Sequence, residues 1–372
     1  MASYRKRGST WSYRISYKDN GEFKVKEKGG FRTKTEAKIE AEEIEKKLLQ
    51  NINVFEADTP IWQFMEIYYL KKKKDKIGTH SQKAYERDIR RVKEFFGDKY
   101  LSSLNNLDYQ EFIDWFAEKH AKETVSKLHS HLKLVVRYAF RNGLIPIDPS
   151  HEIDIHGNKP EKSKELKYLS EHEVNKLLDV LNNGFNPSMT SRFALLLGVF
   201  TGARIGELLA LKFEDYNHEN DTISINKSFD YHYTKEVKST KSLSSNRIIK
   251  LDKGISDKLA WFITYKKREK LINNRNPDNY LLAYGDKPIT LTSVNKTLKR
   301  ACTKAGIKNI TVHALRHTHA SILLHNQLSI EYISERLGHS SPEITRKYYI
   351  HIIDELRQDN DNRMNSVFCK FN

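Results

Sequence analysis

Cysteine is scarce in this chain: Cys302 and Cys369 are the two among 372 residues. Two thiols so far apart make no disulfide framework, and their small number fits a reducing compartment. Long apolar runs are also missing. No stretch approaches the roughly 18 to 20 apolar residues of a membrane helix, so a membrane partner is not expected. The N-terminal "MASYRKRGSTW" is basic but has none of the apolar stretch of a secretion signal. These absences set a cytoplasmic expectation. Acidic side chains fall short of basic ones, with 48 Asp and Glu against 64 Lys and Arg and a net charge of +16. That excess fits a polyanion partner, most often nucleic acid, because Lys and Arg contacts to phosphates release counterions.

What is present is enough hydrophobic residue, 38% of the chain, to build cores, over a length that calls for two or three domains. The first region, residues 1–56, begins with ten basic and three acidic side chains in residues 1–34. "TWSYRISY" alternates Trp11, Tyr13, Ile15 and Tyr17 on one face, the pattern of a half-buried strand. Asp19-Asn20-Gly21 supplies a turn, "EFKVKEK" returns as a second strand, and "GGF" leads into a short third one. Thr33 and Glu36 read as a capping box, after which Ala37, Ala41, Ile44 and Leu48 share a helical face. A basic sheet of this size is able to lie in a DNA major groove.

Residues 57–155 read as four helices, "PIWQFMEIYYL", "SQKAYERDIRRVKEFF", "DYQEFIDWFAEKH" and "KETVSKLHSHLKLVVRYAFRNG", with "KKKKDK" as a basic loop after the first. Residues 156–168 are polar and Lys-rich and read as a linker. The remainder, residues 169–372, reads as mainly helical, with a β-hairpin region around residues 222–251. The fold class expected is therefore mainly α with small β-sheets: a three-stranded sheet plus helix, a four-helix clamp and a mixed, mostly helical domain.

Three segments of the last region carry chemistry. "TGARIGELLALKFEDY" enters an apolar helix through a tight turn, with Arg204 at its start and Glu207 three residues on as its partner. "VHALRHTHASILL" places His313, Arg316 and His317 on one helix face. Zinc is the rival reading of that cluster, but HExxH is absent and neither a nearby cysteine nor a third ligand is evident, so no metal is expected. "ISERLGHSSPEITRKYYIH" adds His339 and the pair Tyr348 and Tyr349. Breaking a phosphodiester without a metal requires a nucleophile, donors for the non-bridging oxygens, a proton acceptor and a proton donor. Two arginines, two histidines, a lysine and a tyrosine make such a set, and arginine forks suit phosphate oxygens.

In this order the three motifs resemble the tyrosine recombinase family, the integrases of phages and integrative elements, over roughly residues 165–355. The first two regions resemble that family's arm-binding and core-binding domains in architecture. The resemblance implies a site-specific DNA integrase working through a 3′-phosphotyrosyl intermediate. Because that intermediate conserves bond energy, no cofactor is expected. It implies that Arg204 and Arg316 hold the scissile phosphate, that His313 and His339 complete the pocket, and that Glu207 supports Arg204. The family's catalytic lysine lies on a β-hairpin before an "R-x-I"-like strand. "VKSTKSLSSNRIIKL" offers Lys238 and Lys241, and the ten-residue step to Leu251 favours Lys241. Of the tyrosines, one family spacing selects Tyr348; the Tyr-x-His pattern, with His351, selects Tyr349. Two departures stand out: "IIKL" where relatives often have "I-P-L", and Pro342 where many have an apolar residue. Implied partners are double-stranded DNA at core and arm attachment sites and a homotetramer on DNA, with an excisionase and a DNA-bending host protein as accessory candidates. Other recombinases of the family (dimer resolution or inversion), a type IB topoisomerase and a non-catalytic DNA-binding regulator are the competing readings.

Overall fold

The computed structural model describes residues 2–19, 22–49, 58–160, 168–239 and 243–347. The chain divides into two compact units between residues 161 and 162.

The first unit opens with strands β1 (Ser3–Arg7), β2 (Thr10–Asp19) and β3 (Glu22–Phe31), antiparallel in the order β1-β2-β3. Alternation along β2 buries Tyr13 and Ile15 against Ala37 and Ala41 of helix α1 (Lys34–Leu49). The Thr33–Glu36 capping box is present: the Glu36 N–H donates to Thr33 Oγ1 at 3.2 Å and the Thr33 N–H to Glu36 Oε2 at 3.4 Å. The third strand is not the one expected. "GGF" continues β3, and β1 precedes the hairpin. The register shifts between Trp11 and Ser12, opposite these glycines, and Gly30 takes a φ of 98°. The glycines thus produce a bulge instead of ending the strand. The sheet face turned away from α1 carries exposed Arg5, Arg7 and Arg14 beside exposed Phe23 and Val25.

Helices α2 (Ile61–Tyr68), α3 (Thr79–Phe96), α4 (Asn106–Ala117) and α5 (Lys122–Arg141) follow as the apolar periodicity requires. Their core includes Phe64, Tyr109, Phe112, Leu128 and Leu132. The lysine run after α2 is not a loop: Tyr69–Lys73 extends the helix as a π-turn and Lys74–Lys76 as a 3₁₀ turn. Tyr69, stacked at 5.5 Å on Tyr85, anchors that extension, so packing overrides the charge repulsion. Part of the expected linker is also held down. The Asn158 N–H donates to Ala117 O at 3.0 Å, and Gly157 lies so close to the α4–α5 junction that a Cβ would sit 2.2 Å from Lys122 N.

In the second unit, α6 (Glu171–Asn182) starts in a Ser170–Glu173 capping box. The apolar α7 (Thr190–Thr201) is buried along most of its length and is followed by the short α8 (Ile205–Ala210). Strands β4 (Tyr216–Asn217), β5 (Thr222–Ile225), β6 (Lys227–Phe229), β7 (Val237–Ser239) and β8 (Arg247–Lys250) come next. They form one sheet in the order β4-β5-β8 and a separate β6–β7 hairpin. The long α9 (Lys253–Asn273) packs Phe262 onto Phe193 of α7 with ring centroids 4.1 Å apart. A small hairpin, β9 (Ala283–Tyr284) and β10 (Lys287–Pro288), leads to α10 (Leu291–Ala305), α11 (Val312–His325) and α12 (Ile330–Leu337). A further helix, α13, begins at Pro342, a position that tolerates the missing N–H, and its described part runs to residue 347. No helix among the described residues is long and apolar enough to cross a membrane.

Candidate active site

Arg204 is held from three directions. Gly202 ends α7 with a φ of 63° and turns the chain so that Arg204 becomes the residue that begins α8. A Cβ at Gly202 would lie 2.6 Å from His319 Cδ2, so both its conformation and the space demand glycine. The Glu207 carboxylate accepts the Arg204 N–H and Nη1 at 2.8 Å each, and Arg204 Nη2 reaches Gly338 O at 3.4 Å. Glu207 is shared. Its Oε2 also accepts Nη2 of the buried Arg247 at 2.9 Å, while Arg247 Nε and Nη1 donate to Arg336 O and Ser245 O. Burial by itself would raise the Glu207 pKa. The Arg247 hydrogen bond and charge, followed by Arg204, outweigh it and hold the carboxyl below the ordinary glutamate value.

Helix α11 supplies the second arginine. Arg316 is buried and donates from Nη1 to Gly202 O at 3.0 Å. His313, one turn earlier, keeps its residue surface open to solvent while its ring meets His317 edge-on at 5.2 Å. The protein around the ring, then the charges of Arg316 and Arg204, push its pKa below the ordinary imidazole value, which keeps it neutral and able to accept a proton. Gly338, with a φ of 68°, ends α12 and brings in His339, whose Nδ1 lies 2.7 Å from the hydroxyl of buried Thr345. Burial, then Arg316, Arg204, His317 and Arg247, depress the His339 pKa to about 3. Arg204, Glu207, His313, Arg316 and His339 therefore come together at the ends of α7 and α12 and the starts of α8 and α11.

The rest of the expected set is divided. Lys238 is on β7 and its Nζ lies 3.0 Å from Asp230 Oδ2. Burial would raise the Asp230 pKa, but the Tyr233 N–H, Lys238 and the His232 N–H hold it well below the ordinary aspartate value. Lys241, Tyr348 and Tyr349 lie outside the described residues.

Residues 167–355 match the family described as the phage integrase family. The chain belongs to the phage integrase family. Residues 2–48 match an arm DNA-binding domain and residues 61–155 a phage integrase SAM-like domain. With this family come a tyrosine-type catalytic domain and site-specific recombination in the integration of mobile elements. The chain is similar to the integrase of Staphylococcus phage L54a, at 26% identity over 71% of this chain and 81% of that one. It is 24% identical to a XerC-like tyrosine recombinase of Caldanaerobacter subterraneus over 98% of both chains. In fold it is similar to the Tn1549 transposon integrase in complex with a circular intermediate DNA, with a TM-score of 0.65 and 18% identity over 82% of this chain and 99% of that one. It is also similar to a lambda integrase dimer bound to a core site, with a TM-score of 0.57 and 19% identity over 93% of each chain.

Reading the sequence as an integrase missed Arg247, Arg336 and His319. Arg247 had a signal: it is the arginine of the "R-x-I"-like strand that follows the lysine's hairpin. His319 carries a pH prediction. Burial, then Arg336, lower its pKa from 6.5 to about 4, so the folded state binds fewer protons than the unfolded one. Its stabilisation is therefore full above pH 6.5 and lost as the pH falls through about 4, at no more than about 1.4 kcal/mol per pH unit. Urea midpoints should decline from pH 7 to pH 4.5, and the decline should be shallower in His319→Phe. Superimposable curves for the two proteins would contradict it.

Proposed function

We propose that this integrase cuts DNA with Tyr349 and rejoins it through a 3′-phosphotyrosyl link, moving a mobile element into and out of a DNA site. The observation that carries this is the convergence of Arg204 and Arg316, each braced by protein acceptors, beside two histidines kept neutral. In the cleavage step the Tyr349 oxygen bonds to phosphorus and the bond from phosphorus to the 5′ oxygen breaks. His313 takes the phenol proton, and the Lys241 ammonium gives a proton to the departing 5′ oxygen. Arg204 and Arg316 stabilise charge on the non-bridging oxygens, with a hydrogen bond from neutral His339. A 5′-hydroxyl of a partner duplex reverses the step. The ion pair with Asp230 already engages Lys238, which supports Lys241 as the acid.

The proposed partners are duplex DNA and further copies of the chain. Relatives of similar fold are described bound to DNA, and lambda integrase as a dimer on a core site and as a tetramer on a Holliday junction. We assign residues 1–56 to arm sites, 57–155 to core-site binding, 156–168 to a linker and 169–372 to catalysis, and take the working form as a homotetramer. An excisionase and a DNA-bending protein are the accessory factors this arrangement would accept. The exposed Arg5, Arg7 and Arg14 face of the first sheet supports the arm assignment. Removing residues 1–55 should leave core-site cleavage intact and abolish integration; full integration by the truncated chain would overturn the assignment.

The test of the chemistry is the leaving group. Lys241→Ala should slow cleavage of ordinary DNA by roughly 10²–10⁴-fold, the scale of one acid-base group. A 5′-thio leaving group needs little protonation, so that substrate should restore most of the rate. Rescue of Lys238→Ala in place of Lys241→Ala would move the acid to Lys238.

A further inference from the structure

The C-terminal end of α7 is capped by side chains from other elements. The last carbonyls of a helix have no partners within it and carry partial negative charge. Here His319 Nδ1 lies 2.8 Å from Val199 O, Arg336 Nη2 donates to Phe200 O at 3.0 Å and Arg316 Nη1 donates to Gly202 O at 3.0 Å. One of the phosphate arginines is thus a member of a three-residue cap.

Arg336, in the last turn of α12, joins several parts of the site. Its Nε donates to His319 Nε2 and its Nη1 to Lys250 O, each at 3.0 Å. Its own carbonyl accepts Arg247 Nε at 2.6 Å. Since Nε2 of His319 accepts from Arg336, the proton of that imidazole sits on Nδ1 and goes to Val199 O. The ring is therefore neutral, with its tautomer set by its two partners. The same ring packs over Gly202, where a Cβ would come within 2.6 Å. Two lines run outward from Arg336. One passes through His319 and Phe200 to the segment that presents Gly202 O to Arg316. The other passes through the Arg336 carbonyl to Arg247, Glu207 and Arg204.

We infer that Arg336, together with His319, is a positioning residue for both phosphate-binding arginines. Arg336 is half-buried, and three of its N–H groups are directed at protein acceptors. The inference rests on the reading that Arg204 and Arg316 contact the scissile phosphate. A displacement of about 1 Å at such a contact is enough to cost on the order of 10²-fold in rate.

The experiment compares the full-length protein with Arg336→Met, Arg336→Lys, His319→Phe and Arg316→Ala on two substrates. One carries the ordinary scissile phosphate. In the other a neutral methylphosphonate replaces it, which removes the charge the arginines stabilise while the same bonds form and break. Release of the strand with a free 5′-hydroxyl is measured at saturating protein, and core-site affinity separately. Arg336→Met should bind the core site within about threefold of the parent and cleave the phosphate roughly 10²-fold more slowly. On methylphosphonate the deficit should shrink to a few fold, as it should for Arg316→Ala. His319→Phe should follow in direction, and Arg336→Lys, with charge but no fork, should be intermediate.

An equal deficit for Arg336→Met on both substrates would overturn the inference, and so would no deficit at all. Weakened DNA binding with an unchanged saturated rate would make Arg336 a DNA contact and also overturn it. If Arg336→Met does not fold, the ratio between the two substrates for Arg336→Lys decides the same question. If Arg316→Ala is not rescued, the reading of the pocket fails; if it is rescued and the Arg336 variants are not, the inference alone fails.

Discussion

Tyr349→Phe should bind its core site like the parent and form no covalent protein–DNA adduct, because the phenyl ring has no oxygen to attack phosphorus. Tyr348→Phe should still form the adduct. Neighbouring side chains point about 100° apart on a helix and to opposite faces of a strand. On the role proposed for Arg204 and Arg316, the one phosphate they would hold therefore takes one of the two phenols. The Tyr-x-His pattern completed by His351 selects Tyr349. Denaturing electrophoresis on a nicked site reads adduct formation directly, and peptide mapping of the trapped complex identifies the modified residue. A phosphopeptide carrying the DNA on Tyr348 would reverse the assignment and leave the pocket unchanged.

Arg247→Ala should be the most damaging substitution away from the reacting atoms. Arg247 and Glu207 are both nearly fully buried and 2.9 Å apart. Removing Arg247 takes away the more deeply buried of the two cations on Glu207 and leaves the carboxylate with Arg204 alone, so the cost should approach but not exceed the roughly 3–5 kcal/mol of breaking a buried pair outright. Glu207 also holds the main-chain N–H and guanidinium of Arg204, so its relaxation would move the proposed phosphate contact. Loss of cleavage should accompany the loss of stability. Arg247→Lys should recover less than half of either, since an ammonium does not span Glu207, Ser245 O and Arg336 O in the fixed geometry of a guanidinium. Urea unfolding and core-site cleavage measure the two effects. A destabilisation under about 1 kcal/mol in Arg247→Ala would show that the pair contributes little.

Local chemistry was legible from the residues alone. The Thr33–Glu36 box, the alternation that buries Tyr13 and Ile15, and the apolar face of Leu208 and Leu209 depend on neighbours one to four positions away. The partnership of Arg204 with Glu207 and the shared face of His313 and Arg316 follow from helix periodicity in the same way. At the "GGF" segment and the "KKKKDK" run, pairing with β2 and the anchoring of Tyr69 outweighed local preference. The bracing of the pocket is of another kind. Arg247 finds Glu207 across 40 residues and Arg336 O across 89, and Arg336 finds Phe200 O across 136. Its acceptors are largely main-chain carbonyls, which every residue has, so no side-chain pattern marks them. The residue types needed for phosphate chemistry were set by the sequence itself. Which carbonyl each guanidinium meets was decided only when α7, α8, α11, α12 and β8 packed together, because that packing alone brings the helix ends within hydrogen-bonding distance.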